Sequence, residues 1–248
     1  MLSKSHTKYI SNLHQKKFRD ETNCFIAEGN KIITELLNEK VLICREVWAD
    51  RAWIDENKVL LERIEAGPVE LFEMEKISAL STPSRVLAVF EKKKPAELIG
   101  SKGKFSLLLD GLQDPGNLGT IIRTADWFGI RDILCSPDCA DLYNPKTVQS
   151  TMGSISRVNI LYTEPVAWLK NNTHPPVFGA TVEGKDYHEL SGQGEGIIII
   201  GSEGRGIRPD LIRICDERIC IPGRGHTDSL NAAVATGIIL SVLSPQKA

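Results

Sequence analysis

The feature that most constrains how this chain can fold is a set of short apolar runs that do not alternate with polar residues. Ile197-Ile198-Ile199-Ile200 is the clearest, and similar runs occur at 105–109, 132–135, 158–161, 177–180 and 219–221. A strand with one face in water alternates apolar and polar side chains, whereas one buried on both faces is apolar throughout. These runs therefore predict a parallel sheet flanked by helices. Helices are expected from about 117 to 128, from 145 to 152 and from 229 to 243. The four isoleucines are far short of the roughly 18 apolar residues a membrane span needs. The start, Met1-Leu2-Ser3-Lys4-Ser5-His6, has no apolar signal core. A cytoplasmic protein without a membrane segment is the expectation.

The first ninety residues carry a separate alternation. Strand-like runs at 24–27, 43–49, 69–72 and 86–90 are interleaved with helical spacing in Ile32, Ile33, Leu36 and Leu37 and in Leu60, Leu61 and Ile64. Charged and polar residues broken by Pro95, Gly100 and Gly103 follow, as in a linker. The predicted domains are 1–95 and 105–248, with a linker at 96–104. Net charge is only −2, so a uniformly basic coat for nucleic acid is excluded. Two local segments are nevertheless basic. Residues 1–19 carry Lys4, Lys8, Lys16, Lys17 and Arg19 with His6 and His14 and no acid. Residues 85–104 hold Arg85, Lys92, Lys93, Lys94, Lys102 and Lys104 against Glu91 and Glu97. Charge alone fits either phosphate contacts or solvated surface. The six cysteines form no CxxC pair, which predicts reduced, mostly buried thiols and no metal site.

Three glycine-bearing loops follow three of the apolar runs, where open parallel sheets bind ligands. The first runs from Asp110 through Asn117 into a helix carrying Arg123. Asn117 could cap that helix and Arg123 could pair with Asp126 on its surface; neither would then touch a ligand. The second loop is Gly201-Ser202-Glu203-Gly204-Arg205-Gly206. It lacks the Lys-Ser or Lys-Thr of a phosphate-binding P-loop, and no GxGxxG follows the first strand of either domain. The third runs from Pro222 through His226 to Asn231, with Asp228, Ser229 and Asn231 all suited to capping a helix. His226 has no placed carboxylate partner, so a solvated side chain is the simpler reading of it.

The ordered trio DPGNLGTIIRTADWFG (114–129), IIIIGSEGRGI (197–207) and IPGRGHTDSLNAAVATGI (221–238) closely resembles the three motifs of the SpoU, or TrmH-like, branch of the SPOUT methyltransferases. The His14-to-Arg19 and Phe25-to-Gly29 stretches resemble the L30e-like substrate-binding domain that precedes many members. His226-Thr227-Asp228 is more polar than that family's pattern. The resemblance implies a C-terminal SPOUT domain with a trefoil knot, S-adenosylmethionine as cofactor, and a homodimer with the site completed across two copies. It implies catalytic-motif roles for Asn117, Arg123, Glu203, Ser229 and Asn231. The cofactor would lie against Gly179, Ala180, Thr181, Ile200, Gly201, Ile221, Ser229 and Leu230. The implied reaction is methylation of a ribose 2'-hydroxyl in RNA, with ribosomal RNA expected. Transfer RNA and a non-catalytic RNA-binding or ribosome-assembly role are the alternatives.

Overall fold

The computed structural model describes residues 2–94 and 103–243; most of the predicted linker, Lys102 included, lies outside them. In chain order the elements are α1 (Lys4–Asn12), α2 (Lys16–Thr22), β1 (Cys24–Glu28), α3 (Asn30–Glu39), β2 (Cys44–Ala49), α4 (Arg51–Glu56), α5 (Lys58–Leu61), β3 (Glu65–Pro68), α6 (Leu71–Ile77) and β4 (Val86–Glu91). They continue with β5 (Phe105–Asp110), α7 (Pro115–Trp127), β6 (Asp132–Cys135), α8 (Pro145–Thr151), β7 (Asn159–Tyr162), α9 (Pro165–Asn171), β8 (Val177–Asp186), β9 (Gly196–Gly201), α10 (Pro209–Ile212), β10 (Glu217–Cys220) and α11 (Ala232–Ser241). Two compact units result, one made of the residues up to Lys94 together with Asp141–Ser156, the other of the remainder. The segment Asp141–Ser156, expected in the second domain, belongs to the first unit.

In the first unit the sheet order is β1-β4-β2-β3. Strand β4 runs antiparallel to both β1 and β2, and β2 pairs in parallel with β3. Central β4 is buried from Val86 to Phe90 because both faces are covered. Leu87 and Val89 join Ile10, Leu13, Ile26, Met74 and Ile77 in one core, and the alternate side chains point to the other face. The expected strand at 69–72 is a correction. The strand is β3, an apolar-poor edge element that pairs only with β2, whereas Leu71 and Phe72 open α6. Glu70 and Glu73 close a capping box there, with Glu73 accepting from Glu70 N at 3.1 Å.

Arg19 is also not the exposed cation that the basic start suggested. It is 2% exposed, bonds Asp141 at 2.6 Å, and donates to the carbonyls of Leu13 and His14 at 2.8 Å. In the second basic segment Arg85 pairs with Asp50 at 2.7 Å and Lys92 with Asp20 at 2.5 Å. Cys24 and Cys135 are buried and the other four thiols are partly so.

The second unit holds the predicted parallel sheet, six strands in the order β10-β8-β9-β5-β6-β7 with every pairing parallel. Leu108, Ile197 and Ile199 pack with Leu169, Ile207 and Leu211 on the side of α9 and α10. The intervening residues Leu107, Leu109 and Ile198 point to the opposite face, where α11 packs on β9 and on α7. This is why β5 and β9 read as unbroken apolar runs. Truncating a core isoleucine such as Ile198 to alanine costs about 2–5 kcal/mol.

Candidate active site

Because β5 and β9 are neighbours in register, with Asp110 opposite Gly201, the loops leaving their carboxyl ends must emerge side by side. Asp110 is 1% exposed and fixes both. Its Oδ2 accepts from Arg208 N at 2.7 Å, and its Oδ1 lies 2.7 Å from Arg208 Nε as an ion pair outside hydrogen-bond alignment. Burial and the Asp110 carboxylate act on that guanidinium in opposite senses, and its pKa is raised on balance. The sequence pattern by itself marks neither residue. The available signal was a carboxylate ending an apolar strand, where only a paired charge can be buried.

The first loop enters α7 through an N-cap. The cap is Asp114, whose Oδ1 accepts from Asn117 N at 2.8 Å, so the capping role considered for Asn117 is corrected. Relieved of that role, the Asn117 side chain faces the other two loops. Its Nδ2 donates to Glu203 Oε1 in the second loop, and its Oδ1 accepts from Asn231 Nδ2 at 3.0 Å. Asn231 in turn caps α11, its Oδ1 accepting from Ala233 N at 2.9 Å and Val234 N at 3.3 Å. One amide from each of two loops and one carboxylate from the third thus form a continuous chain, Glu203–Asn117–Asn231.

Gly201 makes the second loop possible. A Cβ there would lie 2.2 Å from the carbonyl carbon of Gly206, so only glycine lets the loop turn back on itself, closed by Ser202 N to Gly206 O at 3.2 Å and Gly206 N to Ser202 O at 2.9 Å.

Arg123 and Ser229 stand outside this chain. Ser229 is exposed and bonds no described residue. Arg123 is exposed on α7, two turns along, on the face that carries Thr120 and Trp127. The surface pair with Asp126 does not form, because Asp126 Oδ2 is held by Arg157 at 2.8 Å and Arg131 lies 3.8 Å from its Oδ1. Among the described residues Arg123 has no ion-pair partner.

Six of the eight residues predicted to hold a cofactor gather along one edge; Ser229 and Leu230 lie in the exposed loop beyond it. Gly179 and Ala180 are in β8, Ile200 and Gly201 end β9, and Ile221 follows β10, the three strands being neighbours. Pairing of β8 with β10 jumps from Gly179 to Lys185, so residues 181–184 bulge away from β10, while Ala180 still pairs with Ile200 of β9. Thr181 turns the bulge by donating to Glu183 O at 2.6 Å. Residues 222–230, Leu230 among them, are exposed and bond no described residue. The chemistry on offer is backbone donors and acceptors beside apolar side chains, which fits a nucleoside. No group of His, Cys, Asp and Glu suited to a metal ion occurs among the described residues.

Beneath the first loop, Gly111 N donates to Ser136 Oγ at 2.8 Å, and Ser136 donates to Asp138 Oδ1 at 2.5 Å. Cys139 accepts from Leu112 N at 3.3 Å. A hydrogen bond from Cys135, reinforced by Ser136 and Leu112 N, brings the Cys139 thiol down to about 7 against the opposing effect of burial.

A parallel sheet whose three glycine loops are joined by Glu203, Asn117 and Asn231 brings together the three motifs that resemble those of the SpoU-type methyltransferases. The comparisons agree. The model described as the SpoU rRNA Methylase family matches residues 104–241, and that of the MRM3-like substrate binding domain matches 4–88. The chain belongs to the SpoU family. It is 30% identical to the 23S rRNA (guanosine(2553)-2'-O)-methyltransferase RlmP of Bacillus subtilis, over 92% of this chain and 91% of that one. A solved AdoMet-bound rRNA methyltransferase from Sinorhizobium meliloti is 30% identical with a TM-score of 0.85, covering 97% of this chain and 95% of its own. A TrmH-family chain from Porphyromonas gingivalis is 35% identical with a TM-score of 0.82, covering 97% of each.

Proposed function

We propose that this protein transfers the methyl group of S-adenosylmethionine to a ribose 2'-hydroxyl in ribosomal RNA. The observation that carries this reading is the Glu203–Asn117–Asn231 chain, which joins the three family motifs in one place. The Bacillus relative, whose name specifies 23S rRNA and covers nearly the whole chain, favours ribosomal over transfer RNA. S-adenosylmethionine supplies an already electrophilic methyl group, so the protein has to align a hydroxyl with it and manage one proton. Alignment of that kind is worth on the order of 7–11 kcal/mol in favourable cases.

Asn117 sets the first loop against the second, Glu203 braces the second, Asn231 orders the third, and Ser229 supplies a hydrogen bond to the cofactor. Backbone of Gly179, Ala180, Thr181, Gly201 and Ile221, with Ile200 and Leu230, holds the cofactor, where the chain threads through the family's knot. Arg123 grips RNA phosphate and orients the hydroxyl; a guanidinium has no lone pair free to take a proton and makes a poor general base. Residues 1–95 read the RNA, and residues 105–248 carry the chemistry.

The active form is a homodimer. Helix α11 is apolar on all sides, yet Val234 is 51% exposed, and Trp127 at the end of the neighbouring α7 is 85% exposed. Covering Trp127 with a second copy would also bring Arg123, on the same face, to the partner's site.

The test is transfer of labelled methyl from S-adenosylmethionine to unmodified large-subunit rRNA, with the modified nucleotide mapped. Methyl on a base, or none on ribosomal RNA, would sink the reading.

A further inference from the structure

Arg205 and Arg208 lie three residues apart on the second loop and have opposite circumstances. Arg208 is spent on the fold, locked to buried Asp110. Arg205 is presented to solvent, 69% exposed, and among the described residues its guanidinium pairs with Asp138 alone, through one nitrogen at 3.5 Å. Such a contact between exposed groups adds little to stability, and the loop does not need it, since the backbone pair Ser202–Gly206 already closes the turn. Arg205 N is fixed as well, donating to Ser202 Oγ at 3.3 Å. The stem of the side chain is therefore held.

Its tip is aimed too. Asp138 is exposed but not free to wander. Its Oδ1 accepts from buried Ser136, and Ser136 accepts from Gly111 N in the first loop. That hydrogen bond from Ser136 holds the Asp138 carboxyl below its usual range. Asp138 is thus a fixed anion that points the guanidinium across Gly111, where a Cβ would come within 3.4 Å of Arg205 Nη2. A single long contact leaves the other N–H donors of the fork open.

The same turn carries Glu203 towards Asn117, at most about 7 Å of backbone away from Arg205. A ribose brought to Asn117 would therefore carry a neighbouring phosphate past an oriented, unsatisfied guanidinium, the group best matched to a phosphate's paired oxygens. We infer that Arg205, oriented by Asp138, is a binding site for an RNA backbone phosphate flanking the modified ribose. This rests on the methyltransferase reading above.

The experiment measures binding of unmodified large-subunit rRNA, transcribed in vitro, to the full-length protein over a range of salt, alongside turnover and S-adenosylmethionine affinity. Arg205→Gln should weaken RNA binding about tenfold near 0.1 M salt. It should also flatten the plot of log affinity against log salt by roughly 0.7–0.9, the share of one phosphate contact. Turnover at saturating RNA and cofactor affinity should stay within twofold of wild type. Asp138→Asn should weaken RNA binding about threefold by itself and not at all when Arg205 is already glutamine. Unchanged affinity and salt slope in Arg205→Gln would overturn the proposal. So would lost turnover or cofactor binding with RNA affinity intact, which is the signature of a mere loop brace. Failure of the methyltransferase reading would show in the wild type, before any variant, as absence of methyl transfer, while the binding arm would still report on Arg205.

Discussion

Replacing Asn117 by aspartate changes one heavy atom at the centre of the three-loop chain and should be more damaging than removing the side chain. The aspartate keeps an oxygen for Asn231 Nδ2 but loses the donor that now serves Glu203. A hydrogen bond to a charged group contributes about 1.5–3 kcal/mol. In its place two carboxylates face each other. At roughly 4 Å their repulsion is about 1 kcal/mol in water-like surroundings and about 4 at the dielectric typical of a protein surface. The closed arrangement is then disfavoured by about 2.5–7 kcal/mol, against about 2–4.5 for alanine, which loses two bonds and gains no repulsion. Methyl transfer at saturating substrates should fall at least 100-fold in Asn117→Asp and less in Asn117→Ala. Adding Glu203→Gln to Asn117→Asp returns a donor and removes the repulsion, so much of the activity should come back. Asn117→Asp within threefold of wild type, or a double variant no better than the single one, would refute the claim that this chain holds the site together.

Arg123→Ala should leave the melting temperature nearly unchanged, since the side chain has no partner among the described residues, yet lower methyl transfer by orders of magnitude. Arg123→Lys should recover little, and near-normal turnover in either would move the catalytic centre elsewhere. Trp127→Asp should convert the proposed dimer to a monomer in sedimentation and abolish turnover; an active monomer would end the two-copy reading. Arg19→Ala leaves Asp141 without its buried partner and should destabilise the first unit by about 3–5 kcal/mol, read as a lower midpoint in thermal unfolding. Cys139 should be the first thiol alkylated. Its thiolate fraction grows as pH rises through about 7, so its labelling rate, followed by mass spectrometry, should climb between pH 6 and 8, a window set by that pKa, and a flat profile would contradict the assigned hydrogen bonds.

What was legible in the sequence follows from locality. The unbroken runs at 105–109 and 197–200 announced β5 and β9 because burial on both faces is written into consecutive residues. The glycine loops announced tight turns at the strand ends for the same reason, Gly201 being required by an approach six residues long. Features set by distant partners were not legible. Asp114 and Asn117 are both good capping residues, and only the position of Glu203, far along the chain, shows why Asn117 is not the cap. Arg19 looks identical in sequence to Lys16 and Lys17 until Asp141 is placed against it. Strand β3, Glu65–Pro68, has no apolar signal because it is an edge strand, and the apolar Leu71 and Phe72 beside it were a false one.

The membership of Asp141–Ser156 in the first unit has a consequence for how the molecule is made. The polypeptide leaves the second unit after β6 has been laid down, contributes α8 to the first, and returns to add β7. An N-terminal fragment ending at Lys94 therefore lacks Leu142, Val148 and Ile155, all buried, and the partner of Arg19. During synthesis the first unit cannot be completed until Ser156 has emerged, roughly 3–12 s after Lys94 at roughly 5–20 residues per second. Through that interval a folded-looking amino-terminal sheet carries an uncovered patch and an uncompensated buried arginine, which makes the nascent chain, rather than the finished protein, the state most exposed to aggregation and to chaperones.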